Sequence, residues 1–243
     1  MAVALITGGS RGIGAATAIR LAQDGHDVAV AYRSNADAAE QVASEVRALG
    51  RRAQPFAGDM SDAQAPEALV SAVEAELGPV EILIANAGIN DPLEQDPRQI
   101  DADVWDRVMA INLRAPFLAA RAVIGGMIDG GFGRIVLLSS VAAYTGGIVG
   151  PHYAASKAAL HGLAHSLSQF ASGHGVTVNV VAPALIATDM MPTDEQALAE
   201  LTRRIPVGRL GRVEEVADLI SAIVRNPHLT NQSILIDGGI RAS

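Results

Sequence analysis

The chain of 243 residues contains no cysteine, and this absence excludes disulfide bonds and thiolate catalysis. It also removes the commonest ligand of structural zinc, and no metal site is expected. Charged residues are scarce, at 18%, whereas apolar residues make up 49%. A chain of this composition is not a disordered segment, because it can bury enough apolar surface to offset the conformational entropy lost on folding.

Positive charge is also in short supply, since 18 basic residues stand against 26 acidic ones and the net charge is −8. Proteins that bind nucleic acid usually present a basic face, so no nucleic-acid partner is expected. No stretch approaches about 18 uninterrupted apolar residues, and no membrane-spanning helix is expected. Residues 1–5 carry neither the basic segment nor the cleavage site of a signal peptide. A cytoplasmic protein is therefore the expectation.

Short apolar runs alternate along the chain with longer segments of helical pattern. The runs show little alternation of apolar and polar residues, which is typical of parallel strands buried on both faces. The predicted strands are 3–7, 28–32, 53–57, 82–86, 134–139, 177–182 and 234–237. The predicted helices are 13–23, 36–49, 66–77, 104–127, 153–172 and 213–224. This order predicts an α/β fold in one domain over residues 1–243: a doubly wound, Rossmann-like parallel sheet with helices on both faces.

Two segments lack clear periodicity, residues 89–103 and 184–206, and they follow the fourth and sixth predicted strands. Ligands of open α/β sheets bind outside the carboxyl ends of the strands. These segments are therefore expected to form the walls of a substrate pocket. Met190 and Met191 in the second segment either face the substrate or fill the core.

A glycine-rich turn joins the first predicted strand to the first predicted helix. Its glycines permit a tight turn and the close approach of a pyrophosphate, and the helix N-terminus supplies free N–H donors. The spacing differs from the usual G-x-G-x-x-G, but a purely structural turn does not explain these glycines together with Thr7 and Ser10. The candidate cofactor contacts here are Gly8, Ser10, Arg11, Gly12, Ile13 and Gly14.

The second predicted strand ends without the acid that usually marks a site selective for NAD. Tyr32 occupies that position, and Arg33 and Ser34 follow it. An acid would repel a 2′-phosphate, whereas Arg33 would attract it, and Arg11 could join from the turn. These residues favour NADP(H). The alternative is that both arginines are solvated surface residues.

Tyr153 and Lys157 are one helical turn apart and lie on the same face of a predicted helix. The pKa of a free phenol is about 10, and a nearby ammonium lowers it. Tyr153 is therefore a candidate general acid for a carbonyl oxygen, although such a pair alone is more often found as surface decoration. The neighbouring His152 is interpreted as a partly exposed structural residue.

Four features together resemble the short-chain dehydrogenase/reductase family in its compact, single-domain form. They are the turn at residues 7–14, the Asn-Ala-Gly at 86–88, Ser140 in its spacing before Tyr153, and the Tyr-x-x-x-Lys pair. The resemblance covers essentially the whole chain in the family's order. Asn112 matches the family's fourth catalytic residue.

The resemblance implies the reduction of a carbonyl group. Tyr153 would protonate the carbonyl oxygen while the nicotinamide delivers hydride to the carbon, and Ser140 would donate a hydrogen bond to the same oxygen. Lys157 would lower the pKa of Tyr153 and hold the nicotinamide ribose. Asn112 would position a water for proton resupply, and Ser139 is interpreted as structural.

The resemblance also places further residues around the cofactor. Asp59 would bond the adenine edge, Asn86 would support the adenosine side, and Thr188 would contact the nicotinamide carboxamide. The alternatives are strand-end caps for the first two and a helix N-cap for Thr188. The remaining candidate contacts are Met60, Ala87, Gly88, Pro183 and Ile186.

Within the family, the chain most resembles bacterial 3-oxoacyl-acyl-carrier-protein reductases of fatty acid biosynthesis. The stretches that carry this resemblance are 180–183, 186–190 and 237–239. The family generally has glycine at the position of Ala184. Where those reductases carry basic residues that dock the acidic carrier protein, this chain has Gly131 and His174, which weakens the case for an acyl carrier protein as partner.

Three functions thus stay open. The first is the reduction of a 3-oxoacyl thioester, and the second is the same chemistry on a free small ketone, aldehyde or sugar-like carbonyl. Extra residues between Gly88 and Trp105 favour the second. The third is a non-catalytic protein that senses the cofactor, which the intact catalytic set argues against.

The resemblance further implies a homotetramer. Its interfaces would be the helices that carry Asn112 and Tyr153 and the C-terminal strand. Gly162 and Ala119 are expected to let these helices approach closely across a twofold axis.

Overall fold

The computed structural model describes residues 1–90, 94–188 and 194–241. In these ranges one parallel sheet has the strand order β3-β2-β1-β4-β5-β6-β7, which confirms the predicted fold class. The strands are β1 (Val3–Ile6), β2 (Asp27–Tyr32), β3 (Ala53–Ala57), β4 (Val80–Ala85), β5 (Gly133–Leu138), β6 (Val176–Pro183) and β7 (Ser233–Ile236). The strand order reverses between β1 and β4, and this point of a doubly wound sheet opens a crevice for ligands.

Helices cover both faces of the sheet. They are α1 (Gly12–Gln23), α2 (Ala36–Ala48), α3 (Ala65–Leu77), α4 (Ala102–Met109), α5 (Ala115–Asp129), α6 (Ala142–Thr145), α7 (Pro151–Ala171), α8 (Glu195–Arg203) and α9 (Val213–Arg225). Helices α1, α2 and α9 pack on one face, and α3, α5 and α7 pack on the other.

Most residues of the strands are apolar because the sheet packs between two hydrophobic clusters. In β1, Ala4 and Ile6 belong to the cluster of α1, α2 and α9, whereas Val3 and Leu5 belong to that of α3, α5 and α7. Complete burial of a Leu or Ile side chain contributes about 1.5–3 kcal/mol. A polar residue on either face would therefore be costly, and the absence of alternation in the sequence follows from this packing.

Several strand predictions ran one residue too far at the carboxyl edge of the sheet. Thr7, Asn86 and Ser139 lie just beyond the ends of β1, β4 and β5. All three carry polar side chains, and all three bond neighbouring segments instead of continuing their strands. This edge is where the candidate site lies.

The helix predictions differ from the structure at several places, and the short helix α6 was not predicted. The segment predicted as one helix over 104–127 contains a π-helical turn, Ala110–Arg114, between α4 and α5. Helix α7 begins at Pro151, before the predicted start, because proline suits the first helical position. Helix α8 lies within the segment 184–206 that was predicted to be irregular. Asp194 caps α8 by accepting a hydrogen bond from the Ala197 N–H at 2.8 Å.

The continuous helical stretch Ala102–Asp129 is long and apolar enough to cross a membrane by length and composition alone. This stretch was not identified from the sequence, because only uninterrupted runs of apolar residues were considered. In the fold, 61% of its most apolar segment is buried. The core helix of a soluble protein can have the same length and composition. Ala119, expected at a subunit face, is among the buried residues of this stretch, at 1% exposure, so that expectation is wrong.

Candidate active site

The glycine turn after β1 lies where the strand order reverses. Gly8 and Gly12 have positive φ angles of 64° and 54°, which residues with a side chain rarely adopt. A Cβ on Gly14 would lie 2.2 Å from the carbonyl oxygen of Gly8, so only glycine lets the turn close onto α1. Helix α1 has no acidic residue in its first turn. Its N-terminus therefore favours an anion, and the cradle fits a pyrophosphate.

Asn86 holds this turn in shape. Its Nδ2 donates to the carbonyl oxygens of Thr7 at 2.9 Å and Gly8 at 3.0 Å. In return, the Thr7 hydroxyl oxygen accepts from the backbone N–H groups of Asn86 and Ala87, each at 3.0 Å. The donors of the Asn86 amide are thus used on the turn. Its support for the adenosine side, as predicted from the resemblance, would act through the shape of the turn.

The loop after β6 meets the turn from the opposite side. A Cβ on Gly12 would lie 3.5 Å from Cγ2 of Thr188, so a side chain at position 12 would contact this loop. Pro183 is buried, and its carbonyl oxygen accepts from the Val141 N–H at 2.9 Å. The side chain of Ile186 lies in the core, so only its backbone can reach a cofactor. Met190 and Met191 lie outside the described residues.

The other residues predicted to bind the turn's ligand are accessible to differing degrees. Arg11 is exposed, and Ser10 and Ile13 are half-buried. The structure therefore leaves all three at the surface of the cradle, as the prediction requires. Their contact with a cofactor stays a prediction.

The carboxyl ends of β2 and β3 form a second, charged part of the site. Arg33 and Ser34 are exposed beyond β2, and Asp59 is exposed beyond β3. The pKa of Asp59 is lowered, first by hydrogen bonds from the backbone and hydroxyl of Ser61 and further by the charges of Arg33 and Arg107. Arg33 therefore lies near Asp59, as a 2′-phosphate and adenine site would require. Met60 is buried in the core, so only its backbone faces this region.

Tyr153 and Lys157 lie on successive turns at the start of α7, and Ser140 lies just after β5. The ammonium of Lys157 donates to the carbonyl oxygen of Leu138 at 2.7 Å, and it lies 5.8 Å from the centroid of the Tyr153 ring. The Ser140 hydroxyl is close enough to Tyr153 to lower the pKa of the phenol. The structure thus brings three of the four predicted catalytic residues into one group.

Burial controls the acidity of this group. Burial raises the pKa of Tyr153 above its ordinary value, and the hydrogen bond with Ser140 partly opposes that rise. The prediction that Lys157 lowers the pKa of this phenol is therefore wrong for the protein without its cofactor. Burial also lowers the pKa of the Lys157 ammonium to about 8. The phenol therefore holds its proton at neutral pH, while the lysine is charged but close to titration.

Asn112 lies in the π-helical turn and is completely buried. Its Oδ1 accepts from the Ile89 N–H at 2.8 Å, and its Nδ2 donates to the Ile89 carbonyl at 2.9 Å and to the Ser156 hydroxyl at 3.1 Å. A Cβ on Gly88 would lie 3.1 Å from Nζ of Lys157 and 3.3 Å from this Oδ1. Both groups therefore lie close to Gly88, and a side chain at this position would crowd them.

Two features of the site were not predicted from the sequence. His152 is completely buried and both of its ring nitrogens lack a hydrogen-bond partner, so its interpretation as partly exposed is wrong. Ser156 was missed altogether: its hydroxyl accepts from Asn112 and donates to the Tyr153 carbonyl at 2.8 Å. The only signal for Ser156 was its position between the two predicted catalytic residues on one helix.

A doubly wound sheet, a pyrophosphate cradle at its reversal point and an acid–base group beside it define a dinucleotide-dependent oxidoreductase. The model of the short chain dehydrogenase family matches residues 2–199, and the chain belongs to that family. It is accordingly an NAD(P)-dependent oxidoreductase that acts on a CH–OH or C=O group.

Relatives and solved structures cover nearly the whole chain. It is 36% identical to an acetoacetyl-CoA reductase of Shinella zoogloeoides, over 98% of this chain and 97% of that protein. It is also 36% identical to a 3-oxoacyl-[acyl-carrier-protein] reductase of Synechocystis, over 98% and 96%. A blue fluorescent protein from a metagenomic library, solved in complex with NADPH, is 38% identical with a TM-score of 0.92, over 99% and 98%.

Replacing Tyr153 with Phe tests the assignment of the proton donor. The ring and its packing remain, but the proton is lost, so we expect turnover in carbonyl reduction to fall about 10²–10⁴-fold. Cofactor affinity, measured by fluorescence titration, should stay near that of the wild type because Lys157 is untouched. In the wild type, reduction should fade at high pH as the phenol deprotonates, and oxidation should rise over the same range.

Ser140→Ala is the comparison variant, since it should lower turnover by removing a donor to the developing alkoxide while leaving the proton in place. A folded Tyr153→Phe protein that binds the cofactor and turns over near the wild-type rate would show that the proton comes from another group.

Proposed function

We propose that this protein uses NADPH to reduce the 3-oxo group of an acyl thioester to a secondary alcohol. The observation that carries the proposal is the group of Tyr153, Ser140 and Lys157 beside a cradle that fits a pyrophosphate. The names of the relatives as acetoacetyl-CoA and 3-oxoacyl-[acyl-carrier-protein] reductases support the substrate class. The proposal places the protein in the cytoplasm, where such a reductase would meet its cofactor.

When bound, NADPH supplies the hydride. The Tyr153 hydroxyl gives its proton to the carbonyl oxygen, and the Ser140 hydroxyl donates a hydrogen bond to the same oxygen as negative charge develops there. The Lys157 ammonium stabilises the phenolate that Tyr153 becomes, and its remaining N–H groups would hold the ribose. Ionic stabilisation of the phenolate makes proton transfer feasible although burial raises the pKa of the phenol.

The proton that Tyr153 loses must be replaced from solvent. Nζ of Lys157 and Oδ1 of Asn112 both lie close to Gly88, and both atoms can bond a water. Asn112 would therefore position a water with the one lone pair that Ile89 leaves on Oδ1. The π-helical turn serves this role by directing the side chain inward at this depth, as such turns frequently do at functional sites.

The choice of NADPH rests on Arg33. Its guanidinium is exposed near Asp59 at the end of β2, and no acid occupies the position of Tyr32. A 2′-phosphate at this position would meet a cation, whereas the ribose of NADH would find no carboxylate to bond. The NADPH in the metagenomic blue fluorescent protein is consistent with this choice.

The alternative substrate is a free small ketone, aldehyde or sugar-like carbonyl. Gly131 and His174, at the positions expected to dock an acidic carrier, provide no lysine or arginine there. This favours a thioester of a soluble carrier such as coenzyme A, or a free carbonyl, over a substrate bound to a carrier protein. A purely cofactor-sensing protein has no need of the Tyr153 group.

A turnover screen tests the proposed function. We expect NADPH oxidation with acetoacetyl-CoA to exceed that with simple ketones, aldehydes and sugars at equal concentration, because a thioester presents the 3-oxo group with a long additional binding surface. Higher kcat/KM with a free carbonyl compound would establish the alternative. The absence of turnover on every carbonyl by protein that binds NADPH would favour the sensing role.

Replacing Arg33 with Ala tests the choice of cofactor. The wild type should bind NADPH more tightly than NADH, and the variant should lose about 1.5–3 kcal/mol of NADPH binding, because one charge-assisted contact disappears. Binding of NADH should change little. Arg225→Ala, an exposed arginine at the end of α9, is the matched control. Equal dissociation constants of the wild type for the two cofactors would contradict the assignment.

We also propose a homotetramer. The surface of α4, α5 and α7 carries a groove of about 450 Å³ lined by Asp106, Met109, Ala110, Leu113, Arg114, Phe117 and Leu163. Phe117 is 40% exposed and Phe170 on α7 is 66% exposed, which is unusual for large apolar side chains. No atom lies within 4 Å of a Cβ placed on Gly162, so a second helix can approach there. The half-buried β7 at the sheet edge offers a second twofold interface.

Light scattering at micromolar concentration should give the mass of a tetramer. Phe117→Asp should reduce it to that of a dimer, because a carboxylate would be buried without a partner in the helical interface. Leu49→Asp changes an exposed leucine outside the groove and should leave the tetramer intact. A monomeric wild type would exclude this assembly.

A further inference from the structure

A row of polar side chains on α7 joins the catalytic helix to the segment that leads into β7. Nδ1 of His161 lies 2.8 Å from the Ser233 hydroxyl oxygen, and the Ser168 hydroxyl lies 2.9 Å from that of Thr230. We call these bonded side chains the α7–β7 seam. Its members on or directly after α7 are His161, His165, Ser168 and Ser172, and its members on the β7 side are Thr230, Asn231 and Ser233. None of them belongs to the cofactor or catalytic set described above.

His161 is the member of the seam closest to the chemistry, one helical turn after Lys157. Its Nε2 lies 2.9 Å from the hydroxyl oxygen of Ser139. That hydroxyl donates to the backbone carbonyl of Lys157 at 2.8 Å, and Ser139 is 5% exposed. Since Nζ of Lys157 bonds Leu138, the lysine is held to the end of β5 at both its backbone and its side chain.

The hydrogen bonds of Ser139 determine which ring nitrogen of His161 carries the proton. Ser139 has a single hydroxyl proton, and the Lys157 carbonyl receives it, so Nε2 of His161 must donate to the Ser139 oxygen. Nδ1 is then the acceptor and takes the proton of the Ser233 hydroxyl. Burial, followed by the charge of His165, lowers the pKa of His161, which agrees with a neutral ring.

The same ring contacts the short helix α6 that follows Ser140. The Tyr144 and His161 rings meet edge to face with centroids 5.0 Å apart, and the Tyr144 hydroxyl lies 3.4 Å from Nδ1. The guanidinium of Arg241 lies over the ring of Tyr144, 4.2 Å from its centroid. His161 therefore connects the end of β5, α6 and β7 to the helix that carries the proton donor.

We propose that His161 is a positioning residue that orients Lys157 relative to Ser140, by donating from Nε2 to the Ser139 hydroxyl. Without this donor the Ser139 hydroxyl is free to rotate away from the Lys157 carbonyl, and the first turns of α7 are no longer tied to β5 through the backbone. The kinetic consequence rests on the proposed reductase function, whereas the state of the imidazole does not.

A double variant and a conservative variant distinguish an effect of His161 on the position of Lys157 from an effect on the stability of the fold. His161→Leu combined with Ser233→Ala removes the donor together with the group it would orphan on β7, so the thermal unfolding temperature should stay close to that of the wild type. We expect kcat to fall about tenfold, because small displacements of catalytic groups are costly, while KM for the carbonyl substrate changes little. His161→Gln places an amide N–H near the position of Nε2 and should restore most of the lost kcat.

His165→Leu is the matched control. His165 is a histidine on the same helix and in the same seam, but its partner is Asn231 rather than Ser139. Its loss should leave kcat near the wild-type value. Equal effects of the two histidine-to-leucine changes, or a double variant with full turnover, would overturn the proposal.

The second readout needs no substrate. In ¹⁵N-labelled protein, the ring nitrogen shifts of His161 at neutral pH should show a proton on Nε2 and none on Nδ1. A proton on Nδ1 alone would overturn the inference, because the Ser139 hydroxyl would then donate to the ring instead of to Lys157. A wild type that shows the expected ring but reduces no carbonyl would count against the proposed function only.

Discussion

Lys157 carries a buried ammonium, and a buried charge must be bonded to be tolerated. Its bond to the Leu138 carbonyl meets that requirement at the end of strand β5. The bond determines where α7 lies relative to the sheet, and one turn earlier on that helix is Tyr153. Ser140 follows the same strand by two residues. The geometry of the acid–base group is thus set by the need to solvate one cation inside the protein.

A second set of hydrogen bonds holds the glycine turn of the cofactor cradle in place, as the bond of Lys157 holds the catalytic group. Asn86 and Thr7 exchange hydrogen bonds across the ends of β4 and β1, the two strands at the reversal of strand order. These side-chain bonds extend the β1–β4 ladder past the last paired residues, where the Thr7 N–H still donates to the Ile84 carbonyl at 3.1 Å. The positive φ angles of Gly8 and Gly12 are maintained because both neighbours of the turn are fixed. Cofactor site and catalytic site therefore share the carboxyl edge of one sheet.

The sequence was sufficient to predict the sheet, because strands buried on both faces are apolar at most positions and show little alternation. It was also sufficient for the turn and the Tyr153–Lys157 pair, since both depend on spacing within one short segment. It was insufficient where burial depends on distant parts of the chain. The depth of His152 and the bonds of Asn112 to Ile89 follow from tertiary packing and leave no local pattern. Helix α8 was missed because its surroundings have no regular apolar period.

The contrast between local patterns and tertiary packing also applies to function, because the acid–base group and the expected substrate pocket lie in different kinds of segment. The groups that handle the proton lie at strand ends and on the first turns of a core helix, where packing holds them. The expected walls of the substrate pocket are the segments after β4 and β6, whose sequences lack clear periodicity. The chain has the same identity, 36%, to an acetoacetyl-CoA reductase and to a 3-oxoacyl-[acyl-carrier-protein] reductase. Because the expected pocket walls are separate from the strand ends and helix turns that hold the acid–base group, a change in these walls can alter the substrate without altering that group.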